Sequence, residues 1–256
     1  MIVPQQHTDT LPEREAAIRL KNVCKSFGDN HVLRDFSLTL SKGENVVVLG
    51  RSGSGKSVLI KCIIGLIQPD SGTISVLGQD MSDIRSRELD EVRSRMGFLF
   101  QSNALYDSMT VRENLEFPLR RHRRNMSENE VGRLVGEALA NVGLPHTAEM
   151  MPSELSGGMR KRIALARTII LQPEIILYDE PTTGLDPITA KEISDLIVEL
   201  GKKYHTSSII ISHDMNCVKR VAEKIVMLIE GRCYEEGTYE QLEKSTNENV
   251  RKFFEP

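Results

Sequence analysis

Short apolar runs alternate with amphipathic stretches along the chain. Residues 46–49, Val-Val-Val-Leu, and 175–177, Ile-Ile-Leu, are nearly continuous apolar runs, the pattern of strands buried on both faces. Residues 17–23, 32–40, 45–49, 96–100, 175–178, 208–211 and 225–229 predict strands with helical patterns between them. That rhythm predicts an α/β fold with a largely parallel central sheet. Residues 102–168 break it: the stretch is strand-poor, rich in Glu, Arg, Leu and Met, and punctuated by Pro118, Pro145 and Pro152. It predicts a helical subdomain inserted between two strands of a core formed by 17–101 and 169–244. Residues 245–256 predict a short polar and amphipathic tail. A chain of 256 residues is within reach of one large domain, here the whole of 1–256.

Composition narrows the class only slightly. With 39% hydrophobic and 27% charged residues the chain has ordinary globular composition, and a net charge of −3 gives no argument for a nucleic-acid partner. Cys24, Cys62, Cys217 and Cys233 are scattered, without a Cys-x-x-Cys pair, and predict packed thiols in a reducing compartment. No apolar run approaches the roughly 20 residues that span a bilayer. The N-terminal segment lacks a charged start followed by an apolar stretch, so no secretory signal is expected.

Three motifs carry chemistry. Gly50-Arg51-Ser52-Gly53-Ser54-Gly55-Lys56-Ser57 fits G-x-x-x-x-G-K-[ST], directly after one predicted strand and before a helical run starting at Val58. Its glycines allow backbone N–H groups to wrap phosphates, Lys56 can reach the β- and γ-phosphates, and the Ser57 hydroxyl can ligate Mg²⁺. A glycine-rich turn is the bland alternative, but the match arises by chance in only about one chain in a hundred of this length. Second, the strand 175–178 delivers Asp179 and Glu180 at its C-terminal end, where ligands of parallel sheets gather. Asp179 is the candidate metal holder and Glu180 the candidate base that polarises water. Third, Leu155-Ser156-Gly157-Gly158-Met159 opens a helix, with Ser156 as N-cap and two glycines exposing backbone N–H groups. One nucleotide does not need two such loops from one chain; two facing chains would use both.

Leu-Ser-Gly-Gly-Met between a phosphate loop and an Asp-Glu strand resembles the signature of ABC ATPases, and the likeness extends along nearly the whole chain. The resemblance implies a P-loop NTPase with a mostly parallel core sheet, an antiparallel N-terminal β portion and the inserted helical subdomain. It further implies ATP and Mg²⁺ as ligands, hydrolysis coupled to transport, a homodimer and an integral membrane permease. Phe27 matches the aromatic that stacks on adenine, although a lone Phe is more often core. Gln101 matches the glutamine that senses Mg²⁺ and the attacking water. Asp186, in Gly184-Leu185-Asp186, matches the aspartate that crosses the dimer interface, and His213 the histidine that contacts the γ-phosphate.

Residues 100–114, Phe-Gln-Ser-Asn-Ala-Leu-Tyr-Asp-Ser-Met-Thr-Val-Arg-Glu-Asn, with Phe117-Pro118-Leu119-Arg120, are similar to the Mla-type ATPases of phospholipid transport. This narrower resemblance implies an MCE-domain lipid-binding partner, a role in outer-membrane lipid asymmetry, and a peripheral place at the cytoplasmic face of the bacterial inner membrane. The alternatives are an ATPase for amino-acid or lipoprotein transport, which shares the catalytic motifs, and a non-transport ABC ATPase. One motif set and no sustained heptads speak against the latter. Leu105, Tyr106, Asp107 and Met109 are the expected permease contact, and the basic run Arg120, Arg121, His122, Arg123 and Arg124 is a competing one.

Overall fold

The computed structural model describes residues 15–123 and 125–255. Two sheets form the body. The first is antiparallel, in the order β2 (Asn30–Ser41), β1 (Ala16–Phe27), β4 (Ser71–Val76), β5 (Gln79–Asp80). The second runs β10 (Arg232–Gly237), β9 (Lys224–Ile229), β3 (Asn45–Leu49), β8 (Ser207–Ser212), β7 (Ile175–Asp179), β6 (Met96–Leu99). Its five strands from β9 to β6 are parallel, and β10 closes the edge antiparallel to β9.

The parallel strands read as apolar runs because cores lie on both faces. Val46 and Val48 of β3 join one core with Ile175, Leu177, Ile209 and Ile211. Val47 and Leu49 face the other with Ile176, Tyr178 and Ile210. The first core also takes in the antiparallel sheet and α1 (Lys56–Ile63). The second takes in α3 (Val111–His122), α4 (Glu128–Asn141), α5 (Gly157–Ile169), α6 (Pro187–Tyr204) and α7 (Met215–Val221). A one-residue slip of β3 would exchange its two sets of valines between cores.

All seven expected strands are present, with ends shifted: the fourth stops at Leu99, not Phe100. Three strands were not expected. β5 is polar and exposed, β4 buries only Ile74 and Val76 behind an exposed Ser-Gly-Thr start, and β10 alternates exposed and half-buried residues along an edge. Residues 102–168 contain α3, α4 and most of α5 and no strand among the described residues. Pro118 does not punctuate this stretch as expected; it lies inside α3. Within the expected amphipathic tail, residues 248–254 form α9 (Glu248–Phe254), preceded by α8 (Tyr239–Glu243). Val250 is buried and the Tyr239 and Phe254 rings meet edge-on at 5.3 Å. No helix among the described residues is long and apolar enough to cross a membrane.

Candidate functional site

The C-terminal ends of β3, β7, β8 and β6 open on one side of the parallel sheet. A cleft of about 710 Å³ lies there. Its lining brings together Phe27, Gly50, Arg51, Ser52, Gly53, Gly55, Lys56, Ser57, Val58, Gln101, Asp179, Glu180 and His213. Residues far apart in sequence, from Phe27 to His213 and on to Phe253, thus share one cavity.

The phosphate loop connects β3 to α1. Gly55, the N-cap of α1, has φ +104, and a Cβ there would approach Val32 Cγ1 and O at 2.9 Å. Both the left-handed backbone and the close packing therefore require glycine. Lys56 is 7% exposed and donates to the carbonyls of Gly50 at 2.7 Å and Arg51 at 3.0 Å. Its ammonium lies 3.9 Å from Glu180 Oε1. Burial lowers its pKa, while the charges of Glu180 and Asp179 work in the other direction. A nucleotide phosphate would supply the anionic partner that this cation has only at 3.9 Å. Ser54 does not line the cleft, and its hydroxyl is buried without a partner.

The carboxylates follow β7. Asp179 has a raised pKa, from burial first and the neighbouring Glu180 charge second, opposed by Lys56. Glu180 is 9% exposed and sits at φ +50, a conformation uncommon for a non-glycine residue. Its N–H donates to Ile211 O at 3.0 Å, which holds the turn. Its carboxylate meets His213 Nδ1 at 2.9 Å and accepts from Thr183 Oγ1 at 3.3 Å. Ser57, Asp179 and Gln101 all line the cleft and carry hard oxygen donors, a hydroxyl, a carboxylate and an amide. That set fits a magnesium ion, which takes its remaining ligands from phosphate and water rather than from an all-protein cage.

Ser156, Gly157, Gly158 and Asp186 do not line this cleft. Ser156 caps α5 by accepting from Met159 N at 3.2 Å, and Ser156 and Gly157 are exposed. A Cβ on Gly158 would meet Thr189 Cγ2 at 2.7 Å, so α5 packs closely on α6 there. Asp186 caps α6, accepting from Ile188 N, Thr189 N and Thr189 Oγ1. Three cleft residues were not expected: Val32, Lys252 and Phe253. The last two come from α9, where Phe253 lies under the Arg51 guanidinium at 5.9 Å. The spacing of Val250, Phe253 and Phe254 is that of an apolar helix face and was the available signal.

The sequence profile of the family described as ABC transporter matches residues 33–183. The chain belongs to the ABC transporter ATPase family. This ABC ATPase is 41% identical over 236 residues to the intermembrane phospholipid transport system ATP-binding protein MlaF of Haemophilus influenzae, covering 92% of this chain and 89% of that one. It is 39% identical over 250 residues to the probable ribonucleotide transport ATP-binding protein mkl of Mycobacterium tuberculosis, covering 98% and 69%. A dimeric ATP-binding cassette solved in a post-hydrolysis state with ADP and Pi superposes with a TM-score of 0.78 at 33% identity, covering 86% of this ABC ATPase and 98% of that chain. As an ABC ATPase the chain is an ATP-hydrolysing transporter subunit.

Proposed function

We propose that this ATPase energises phospholipid transport, working as a homodimer under an integral membrane permease with an MCE-domain lipid-binding protein. The observation that carries the lipid reading is the 41% identity to a phospholipid-transport ATPase over nearly the whole of both chains. The Ser102-to-Arg120 wording supports it, because this segment follows Gln101 and lies outside the catalytic motifs shared with transporters of other cargo. The arrangement places the subunit peripherally at the cytoplasmic face of the inner membrane.

Within each site, the phosphate loop and Lys56 bind the β- and γ-phosphates, and Phe27, half exposed at the cleft, offers a face for adenine. Ser57 and Asp179, with Gln101, would hold Mg²⁺, which would supply charge neutralisation at the phosphates. Glu180 orients and polarises the attacking water, and His213 contacts the γ-phosphate while its other nitrogen bonds Glu180. Ser156, Gly157 and Gly158 lie outside their own chain's cleft and present N–H groups at the start of a 13-residue helix. They cap the nucleotide of a second copy, and Asp186 crosses the same interface.

Recovering the full chain from its native membrane with its partners, and identifying the co-purified small molecules, tests the cargo. Phospholipid in the complex, with ATPase activity that responds to it, is the expected result. Amino-acid or lipoprotein cargo instead overturns the lipid reading. Specific activity that stays constant on dilution through the dimer range overturns the shared site.

A further inference from the structure

Lys161 sits one turn into α5 with 2% of its surface exposed, among the largest fully buried side chains. Its ammonium donates to the Gln101 carbonyl at 3.1 Å and is not ion-paired among the described residues. Burial lowers its pKa to about 8, against the opposing charge of Asp179. A buried ammonium with one neutral partner is an unfavourable way to fill this volume, and a methionine of similar size would pack there without the desolvation cost.

The loop it touches is strained. Asn103 and Ala104, just beyond Gln101, have φ +65 and +50. A second cation of the same helix, Arg167, donates to Asn103 O at 3.2 Å and to Asn114 Oδ1 at 3.4 Å. Two buried or half-buried cations of α5 thus hold carbonyls of the 101–104 segment in conformations that non-glycine residues rarely adopt alone.

We propose that Lys161 is a positioning residue: its bond to the Gln101 carbonyl aims the Gln101 amide at the Asp179–Glu180 pair and fastens that loop to the helix bearing Ser156–Gly158. Lys161 touches neither nucleotide nor metal; it acts through Gln101. Because α5 also carries the Ser-Gly-Gly loop at its start, displacement of that loop pulls on Gln101 through one side chain. The inference rests on the reading of Gln101 as a ligand of magnesium and water.

Lys161→Met, Lys161→Arg and Gln101→Ala are to be compared in the full chain. Lys161→Met should keep or raise the melting temperature, since an apolar side chain replaces a buried charge. It should leave the affinity for a fluorescent ATP analogue without magnesium unchanged. It should lower kcat by on the order of ten- to a hundredfold, the scale of a displacement of about 1 Å in a catalytic array, and raise the magnesium concentration for half-maximal rate. Lys161→Arg, which can still donate to the carbonyl, should recover part of both. Native kcat and magnesium dependence in Lys161→Met overturn the proposal, as does a loss of kcat that only follows a loss of melting temperature. If Gln101→Ala itself turns over normally, the reading of Gln101 fails; if Gln101→Ala is slow and Lys161→Met is not, the Lys161 inference alone fails.

Discussion

His213 Nδ1 lies 2.9 Å from Glu180 Oε2, joining the ends of the neighbouring strands β8 and β7 by one side-chain bond. Glu180 accepts there and from Thr183, so the Nδ1 proton points at the carboxylate and Nε2 is left to the cleft. Glu180→Gln preserves the shape but removes the carboxylate that polarises water. It should keep ATP binding while hydrolysis falls by orders of magnitude, trapping an ATP-bound dimer visible by size-exclusion chromatography. His213→Ala should slow turnover less, because Glu180 keeps its Thr183 and backbone anchors. Native-rate hydrolysis by Glu180→Gln removes it from the role of base.

The Cys62 thiol is 1% exposed, and burial raises its pKa from 9.0 to about 11. Between about pH 9 and 11 the unfolded chain therefore releases a proton that the folded chain keeps. The unfolded state binds fewer protons in that window, so stability falls as pH rises through it. Cys62→Ala should show a shallower decline than the native chain in denaturant titrations from pH 8.5 to 10.5. The same burial should make Cys62 and Cys217 slow toward thiol reagents until the chain is unfolded, whereas half-buried Cys24 and Cys233 react sooner. An equal decline in both proteins would show that Cys62 ionises freely in the fold.

Much of the core was legible because β3, β7 and β8 are covered on both faces and must be apolar throughout. Strands β4 and β10 were not, since their exposed Ser, Gly, Thr, Arg and Glu residues carry no apolar run; they form through pairing with β1 and β9. The phosphate loop and the Asp179–Glu180 turn are local patterns, so each could be read from adjacent residues. Lys161 could not. In Arg160-Lys161-Arg162 it reads as one of three solvated cations, and only the packing of α5 beneath the Gln101 loop sends it inward. Asn114 is a similar case: fully buried in α3, it binds Tyr106 N and O, Met109 O and Thr110 O, all brought to it by a loop with no regular period.

Phe253 holds the Arg51 guanidinium over its ring at the rim of the phosphate loop. A partly exposed cation–π contact is worth about 0.5–1 kcal/mol. Phe253→Ala frees Arg51 at the loop rim and should therefore weaken binding of a fluorescent ATP analogue by at most about fivefold, the whole of that contact, with Phe253→Tyr close to native. Unchanged affinity in the alanine variant would make α9 a bystander to nucleotide binding.

The permease contact is expected beside Gln101, where the structure redistributes the expected anchors. Leu105 is half-buried against the core and contributes to folding, while Tyr106 is 44% and Phe117 40% exposed, their rings 5.0 Å apart. The Asn114 bonds hold the Tyr106 backbone, so this aromatic pair is displayed on a fixed loop, the form in which a few anchors dominate an interface. The competing basic run is weakened by its own pairing. Arg120 is bound by Glu116 and Glu128, and Arg123 donates to Leu171 O; Arg124 lies outside the described residues. Tyr106→Ser with Phe117→Ser should leave ATP affinity intact and reduce pull-down of the membrane subunit at both low and high salt, because apolar contacts are not screened. Arg121→Gln with His122→Gln should matter little at either. Assembly that survives loss of both rings but fails at high salt would move the contact to the charged residues of α3, and full assembly of both variants would move it off this face.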